Sequence, residues 1–371
     1  MSATRTGAVL SPRALNRAAL ARQLLLDRAD LPVPTAVRHL AGLNAQEPNI
    51  PYLGLWSRLR GFRQPDLTDR LADRTVVRTI AFRGTQHLIG ADDTLWLRPV
   101  LQPLLARIQR NTFGRRTTGV NLDELVETAR EHLTGQTLTR PELGRLLEER
   151  WPGLDRTALA WSVQFLEPIL HPTPSGTWNT RGSTPFQLAT DVLGTLDAEP
   201  APDRLVRCHL AAFGPASVSD IRTWSGVSGL REVVASMGAE LVSFTDENGR
   251  QLVDLPDASR PDPATPAPVR FLPPFDNLML AYADRTRLMS DDDRRRVCVD
   301  DYIPATLLLD GKVGGTWTID LFADTARLTV QPFRPLTSND RTAVADEGAR
   351  LLEFAAPGDE THEFRILQLP S

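Results

Sequence analysis

Two amide side chains, Asn44 and Gln46, are the residues whose type and spacing first suggest chemistry in this sequence. They stand two positions apart within residues 41–59, which read AGLNAQEPNIPYLGLWSRL. If the turn is locally extended, both amides lie on one side and Ala45 lies on the other. Such a pair offers hydrogen-bond donors and acceptors without a titrating group. The same two residues could instead cap a helix and tie down a turn.

The segments on either side of the amides are predicted to be helices. Apolar residues recur at helical spacing over residues 34–43 and again over residues 52–59. Pro48 and Pro51 interrupt the chain between them. The amides are therefore expected at the end of one helix, facing a proline-bounded turn.

Helices followed by a β-hairpin are predicted three times along the chain. The first group has a helix capped by Ser11 and strands at 75–81 and 84–89. The second has a capping box at 139–142 and a strand, turn and strand over 171–178. The third has a Ser217 cap and a hairpin whose turn is DENG at 246–249. This order is typical of tandem winged helices, a helix-turn-helix variant.

The predicted fold class is α+β, with three winged-helix units and a β-rich C-terminal domain. The boundaries we predict are 9–115, 116–188, 189–256 and 257–371. A proline- and alanine-rich linker, PDASRPDPATPAP at 256–268, precedes the last domain. Polar clusters follow its first strand at 276–277 and 284–287, where they could line a cleft or only form turns.

The composition excludes several classes of protein. The chain has 371 residues, is 41% apolar and carries a net charge of −4. It contains neither an apolar run long enough to span a membrane nor an N-terminal signal peptide. Cys208 and Cys298 lie 90 residues apart and have no CxxC partner, so we expect reduced thiols and a cytoplasmic protein without a metal site.

Positive charge is concentrated in the first third of the chain. Residues 58–116 contain twelve arginines and five acids, a balance of +7, although the whole chain is acidic. Arginine outnumbers lysine 41 to 1, and Lys312 is the single lysine. The ratio fits a GC-rich genome as well as selection for phosphate contacts, and guanidinium groups suit phosphates better than ammonium groups do.

Five sequence motifs in one order carry a resemblance that covers residues 10 to 370. The chain resembles the winged-helix DNA glycosylases of the AlkZ and YcaQ type. The motifs are GLNAQEP with PYLGLWSRL at 42–59, RGTQHL at 83–88, FLPPFDNL at 271–278, ADRTR at 283–287 and DGKVGGTW at 310–317. The resemblance implies tandem winged helices in a C shape around a DNA channel, with a β-rich C-terminal part.

The resemblance also implies an activity and a catalytic motif. Members excise N7-alkylated purines, some unhook interstrand crosslinks, and several protect producers of DNA-alkylating antibiotics. Their motif is Gln, an aliphatic residue and then Gln, or Asp in the YcaQ branch, and it falls on Asn44, Ala45 and Gln46. Gln46 places the chain closer to the AlkZ-like branch, whereas Asn44 is one methylene shorter than the family Gln. Both amides are therefore expected to be catalytic, in a monofunctional enzyme without a cofactor or a metal.

The expected partner is double-stranded DNA that carries alkylated purines, bound by a monomer that does not contact membranes. The resemblance places DNA contacts on the first wing, on the 283–287 motif and on a hairpin that probes the DNA groove. The residues predicted to contact DNA are Arg83, His87, Arg285, Arg287 and Lys312.

Two other functions remain open from the sequence. Winged helices most often bind DNA without chemistry, so a transcription regulator is the first alternative. The second is a family member that binds damaged DNA and no longer cuts it, which the Asn44 replacement keeps open. A serine hydrolase is disfavoured by the absence of G-x-S-x-G. Metal chemistry is disfavoured because His87, His132 and His171 lack ligand spacing.

Overall fold

The computed structural model describes residues 8–195, 198–299, 302–322, 324–358 and 361–368, and it has the predicted α+β architecture. None of the helices it describes is long and apolar enough to cross a membrane. The helices are α1 Pro12–Arg22, α2 Val33–His39, α3 Asn49–Trp56, α4 Gln64–Ala72, α5 Ala91–Phe113, α6 Leu122–Leu133, α7 Arg140–Arg150, α8 Arg156–Leu166, α9 Thr190–Leu193, α10 Pro202–Phe213, α11 Val218–Ser225, α12 Leu230–Met237, α13 Asn277–Leu280, α14 Asp291–Val297 and α15 Ser338–Ala355.

Most strands are short and belong to three sheets. The six-stranded sheet has the order β2-β4-β3-β6-β7-β5, the five-stranded sheet runs from β10 to β14, and the third is β1-β8-β9. The strands are β1 Val9–Leu10, β2 Leu43–Asn44, β3 Val76–Ile80, β4 Gln86–Gly90, β5 Leu138–Thr139, β6 Ile169–Leu170, β7 Pro185–Leu188, β8 Val242–Asp246, β9 Gln251–Asp254, β10 Arg270–Leu272, β11 Thr306–Leu309, β12 Lys312–Leu321, β13 Thr325–Pro332 and β14 Thr361–Ile366.

One order of elements occurs three times: helix, short strand, helix, helix and hairpin. The first repeat is α2, β2, α3, α4 and β3–β4, and the second is α6, β5, α7, α8 and β6–β7. The third is α10, an isolated bridge at Ala216, α11, α12 and β8–β9. In each repeat the short strand or bridge pairs with the last strand of the hairpin. The predicted winged-helix units require this order.

The repeats are joined by their sheets. Thr79 of β3 pairs with Leu170 of β6, so the first two hairpins share the six-stranded sheet. The N-terminal β1 pairs in parallel with β8 of the third repeat. The predicted boundary at 115/116 therefore separates two repeats that are hydrogen-bonded to each other, and the domain limits stay a prediction.

Local capping signals in the sequence form as predicted. Ser11 accepts a hydrogen bond from the Ala14 N–H, and α7 and α11 begin with the reciprocal capping boxes of Thr139 and Ser217. The predicted hairpin over residues 171–178 is wrong, because β6 ends at Leu170 and β7 begins at Pro185. The prolines in between lack the N–H that a strand ladder needs, so this segment forms a loop.

A buried ion pair links the first repeat to the predicted C-terminal domain. The Arg58 guanidinium donates two hydrogen bonds to the Asp276 carboxylate, at 2.9 and 2.8 Å, and both side chains are buried. Arg58 also donates to the Gly54 carbonyl and to Gln23 Oε1. Asp276 accepts from the Leu278 N–H and so caps α13. The bidentate geometry and the added hydrogen bonds offset the desolvation of both charges.

We predict that Asp276→Asn lowers the free energy of unfolding by about 3–5 kcal/mol, because it leaves the Arg58 charge buried without a counterion. Urea unfolding monitored by circular dichroism measures the loss. The matched control is Glu148→Gln, which removes a solvent-exposed ion pair with Arg156 at 3.9 Å and should change stability little. An equally small effect of Asp276→Asn would contradict the role given to the buried pair.

Candidate active site

The two amides lie at the edge of the six-stranded sheet. Asn44 ends β2 and stands opposite His87 of β4, and the Ala45 N–H donates to the Gln86 carbonyl at 2.8 Å. Asn44 is only 2% exposed, whereas Gln46 is exposed. The chain thus turns one amide into the protein and the next towards solvent.

The amide pair is hydrogen-bonded to itself. Asn44 Nδ2 donates to Gln46 Oε1 at 3.0 Å, and the Gln46 N–H donates to Asn44 Oδ1 at 3.1 Å. These two bonds assign the orientation of both amides, since Asn44 must present its oxygen to the backbone and its nitrogen to Gln46. Gln46 Oε1 keeps a second lone pair, which faces away from Asn44.

The pair does not cap a helix. α3 begins at Asn49 after Pro48, and no side chain caps it. At the corresponding place in the other two repeats, Thr139 and Ser217 cap the helix that follows the short strand.

The helix that precedes the amides, α2, ends at His39 with Leu40 as its C-cap, so the amides cap neither helix. The other half of the capping alternative is confirmed, because the bond from the Gln46 N–H to Asn44 Oδ1 ties down the turn.

A third amide side chain, that of Asn277, is hydrogen-bonded to the backbone of the amide motif on its buried side. Its Oδ1 accepts the Asn44 backbone N–H at 3.3 Å, and its Nδ2 donates to the Gly42 carbonyl. Asn277 follows the Asp276 ion pair directly and is buried. The polar cluster predicted at 276–277 thus lies at the site, where it positions the amide motif.

Gln46 lines a cavity of about 530 Å³ between the first and second repeats. Its far side is formed by residues 171–184, which connect β6 to β7 and which we name the wall loop. The lining residues are Gln46, Pro48, Arg78, Gln86, Pro174, Ser175, Gly176, Thr180, Arg181, Gly182, Ser183, Thr184 and Pro185. Hydroxyls, amides and guanidinium groups line this cavity, and no carboxylate is among its lining residues.

Titratable groups near the cavity have shifted pKa values. Burial lowers the pKa of Arg78 to about 10, so this side chain remains a cation at neutral pH. Burial, together with a nearby arginine in each case, lowers the pKa of His87 and of His171 to about 3. Both imidazoles are therefore neutral at pH 7. The site can orient a water and stabilise positive charge through amide oxygens, without a titrating base.

Comparison with known proteins identifies the family. The model of the AlkZ-like DNA glycosylase family matches residues 37–354. The chain belongs to the AlkZ-like DNA glycosylases. An interstrand DNA cross-link repair glycosylase of Streptomyces sahachiroi is 25% identical over 346 residues, covering 84% of this chain and 90% of the relative. The solved structure of the S. sahachiroi DNA glycosylase AlkZ shares the fold, with a TM-score of 0.79 and 22% identity. The match covers 97% of this chain and 100% of that chain.

Membership of the AlkZ-like family makes this protein a DNA glycosylase, a hydrolase of N-glycosyl bonds. Family membership also favours a glycosylase over the transcription regulator that the sequence left open, because a regulator performs no such hydrolysis. The assignment of Asn44 and Gln46 as catalytic residues stays a prediction.

Two residues predicted to contact DNA are buried instead. His87 is 1% exposed, is neutral and packs edge-on against Phe82. Arg287 is 4% exposed, donates to the Pro215 carbonyl at 2.9 Å and lies over the Tyr282 ring. Both side chains are bound within the fold, and a contact of either with DNA stays a prediction.

Arg83 and Arg285 are half-buried and already bound within the protein. The Arg83 guanidinium donates to the Trp224 carbonyl, and its pKa is lowered to about 10 by burial and by Arg285. Arg285 donates to Cys298 Sγ at 2.9 Å. Neither arginine is among the residues that line the cavity.

The hairpin around Lys312 is docked on α1. Asp310, in its turn, pairs with Arg13 at 2.8 Å and with Arg17, and the Gly311 carbonyl accepts from Asn16 at 2.7 Å. Lys312 Nζ donates to a backbone carbonyl at 2.9 Å. The turn is hydrogen-bonded to α1 while Asp310 itself stays exposed, and the role of this hairpin as a DNA-groove probe stays a prediction.

Sequence reasoning missed Arg78 and the wall loop. Arg78 lies in the middle of β3, between Val77 and Thr79, where a charged residue interrupts a buried strand. That interruption was a usable signal, because a buried charge needs a specific set of partners. The sequence of the wall loop predicts a hairpin and does not show which surface the loop packs against.

We predict that the single-turnover rate of base release is nearly constant between about pH 6 and about pH 9. Neither amide titrates, the imidazoles of His87 and His171 gain a proton only near pH 3, and Arg78 loses one only near pH 10. Rates measured with protein in excess over methylated duplex DNA, at constant ionic strength, test this.

Glu47 provides the matched control for that profile. It follows Gln46 directly and is exposed, but it does not line the cavity. Glu47→Gln should keep the parent rate at every pH. A rate that falls with acid in the parent, and no longer does so in Glu47→Gln, would identify Glu47 as a base and contradict the amide-only site.

Proposed function

We propose that this AlkZ-like glycosylase is monofunctional and hydrolyses the N-glycosidic bond of N7-alkylated purines in double-stranded DNA. The observation that carries the proposal is the exposed Gln46 amide, oriented by the buried Asn44 at the mouth of a cavity without carboxylates. In this proposal Gln46 Oε1 binds the attacking water, and Asn44 keeps that oxygen directed into the cavity.

The chemistry needs no general acid. Alkylation at N7 gives the purine a positive charge, so the electrons of the C1′–N9 bond leave with a neutral base. A water then adds to C1′ of the oxocarbenium-like sugar and loses a proton to solvent, which leaves an abasic site. An oriented amide oxygen can place that water and stabilise the positive sugar. Without a strong base the site spares normal purines, whose leaving groups are not activated.

A lyase step is not part of the proposal, because such a step starts from an amine that forms a Schiff base. The cavity-lining residues include no amine. The single lysine of the chain, Lys312, donates to the Thr286 carbonyl on the hairpin docked against α1. Release of the base should therefore leave an intact abasic strand.

Bulky adducts and interstrand crosslinks are the substrates that we propose beyond N7-methylguanine. The S. sahachiroi relative is named for crosslink repair. Here Gln46 is exposed, so a lesion could reach it without complete burial of the base. We further propose that the three repeats are winged helices that bind the duplex as a monomer, and that damage by DNA-alkylating natural products is the biological context.

The test is base release by Gln46→Ala. We predict a loss of roughly 10²–10³-fold in the single-turnover rate on N7-methylguanine duplex DNA, as for removal of one preorganised polar group. Release is measured chromatographically at low salt, and the DNA affinity should stay close to that of the parent.

If the parent protein binds the duplex but releases no N7-methylguanine, either its substrate range is narrower than proposed or it does not cut DNA. A crosslinked duplex distinguishes these two explanations. Unhooking of the crosslink by the parent, and not by Gln46→Ala, would narrow the substrate range and keep the site. Binding without release on both substrates would indicate the degenerate family member that the Asn44 replacement leaves open.

A further inference from the structure

Arg78 is a buried cation without an acidic partner among the described residues. It lies in β3, is 5% exposed and forms none of the ion pairs in the described part of the chain. Burying a charge costs free energy unless other groups replace the lost water. The groups that replace it here are all neutral oxygens.

These oxygens come from three segments that meet at the cavity. Arg78 Nε donates to the Ala45 carbonyl at 2.9 Å, and one terminal nitrogen donates to the Gln46 carbonyl at 3.4 Å. The same terminal nitrogen donates to Gln86 Oε1, and the other donates to Ser175 Oγ at 2.9 Å. Arg78 thus binds both peptide carbonyls next to the proposed catalytic amide and also the wall loop.

The wall loop is held close to Arg78 by packing. Gly176 has a φ of +84°, and a methyl group added there would stand 2.8 Å from Arg78 Cδ. On its other side the loop is tied to the start of α3, because the Asn179 N–H donates to Asn49 Oδ1 at 2.7 Å and Asn49 Nδ2 donates to Asn179 Oδ1 at 2.8 Å. The cavity therefore has a fixed width between Gln46 and the loop.

We propose that Arg78 is a positioning residue of this glycosylase, which fixes the Ala45–Gln46 backbone and the wall loop relative to each other. The proposal rests on the catalytic role proposed for Gln46. A guanidinium is planar and has five donors, so it can bind oxygens on several sides at once. An ammonium group at the same place is a point charge on a flexible stem and cannot span Ala45 and Ser175 together.

The test is Arg78→Lys, which keeps the charge and removes the planar set of donors. We predict a single-turnover rate about 10²-fold lower on N7-methylguanine duplex DNA, because a misplaced catalytic group costs about that factor. The Kd for the same duplex and its salt dependence should change little, since Arg78 is not expected to bind phosphate.

The matched control is Arg98→Lys on α5. Arg98 is also buried, its pKa is also lowered to about 10, and it donates to the Phe165 carbonyl at 3.0 Å, away from the cavity. This variant reports the general cost of losing a buried guanidinium. We expect it to lower the melting temperature and to keep the rate of the folded protein.

A double variant separates positioning from independent effects. If Arg78 acts through Gln46, Arg78→Lys should have almost no further effect in the Gln46→Ala background, because residues that act as a unit are not additive. If the rate losses of the two single variants multiply in the double variant, the proposal is overturned. Should Arg78→Lys fail to fold, Ser175→Ala removes one of its bonds without disturbing a charge, and it should give a smaller loss of rate at unchanged affinity.

Three further results would also overturn the proposal. One is a full rate in both Arg78→Lys and Ser175→Ala, and another is a rate loss in Arg98→Lys that equals the loss in Arg78→Lys. The third is a higher Kd with a salt slope reduced by about one phosphate contact, which would make Arg78 a DNA-backbone ligand. A fully active Gln46→Ala would instead refute the function proposed for Gln46, so the two failures are distinguishable.

Discussion

The buried ion pair between Arg58 and Asp276 is the constraint on which the site depends. It joins the chain just after α3 of the first repeat to the N-cap of α13, and it fixes the residue that follows, Asn277. Asn277 in turn holds the backbone of Gly42 and Asn44, and Asn44 orients Gln46. The exposed Gln46 amide is therefore connected to the buried ion pair through hydrogen bonds and the peptide bond between Asp276 and Asn277.

This arrangement suits a reaction that needs placement more than proton transfer. Amides are weak catalysts in water because they rotate freely and bind solvent in many ways. Here Asn44 holds the Gln46 side chain, while Arg78 holds the carbonyls on either side of the Gln46 peptide nitrogen. A preorganised dipole costs no reorganisation during the reaction, which is how neutral groups stabilise a developing charge. In the proposed reaction, the N7-alkylated purine itself supplies the activated leaving group.

The parts of the fold that the sequence predicted well are those set by local interactions. The capping boxes at Thr139 and Ser217, and the hairpin between β8 and β9, depend on residues only a few positions apart. The amide motif was also visible from its spacing and its family resemblance, although its catalytic role awaits the measurements described above.

The contacts that the sequence could not show depend on tertiary packing. Arg287 stands among polar sequence neighbours, yet it is buried and donates to the Pro215 carbonyl, 72 residues away. The Lys312 hairpin has a turn that is typical of an exposed tip, and its Asp310 pairs with Arg13 and Arg17 of α1. Local sequence patterns do not indicate such contacts. A charged residue has the same sequence signature whether its partner is a phosphate or a backbone carbonyl.

Asn277→Ala is the measurement that shows whether the C-terminal part of the chain sets the geometry of the amide pair. Asn277 is buried behind the motif and does not line the cavity, so it cannot contact substrate. The single-turnover rate of base release should fall about 10- to 10²-fold while the Kd for lesion-containing DNA stays unchanged, since only the placement of Asn44 and Gln46 is lost. A folded Asn277→Ala protein that releases base at the parent rate would contradict the account.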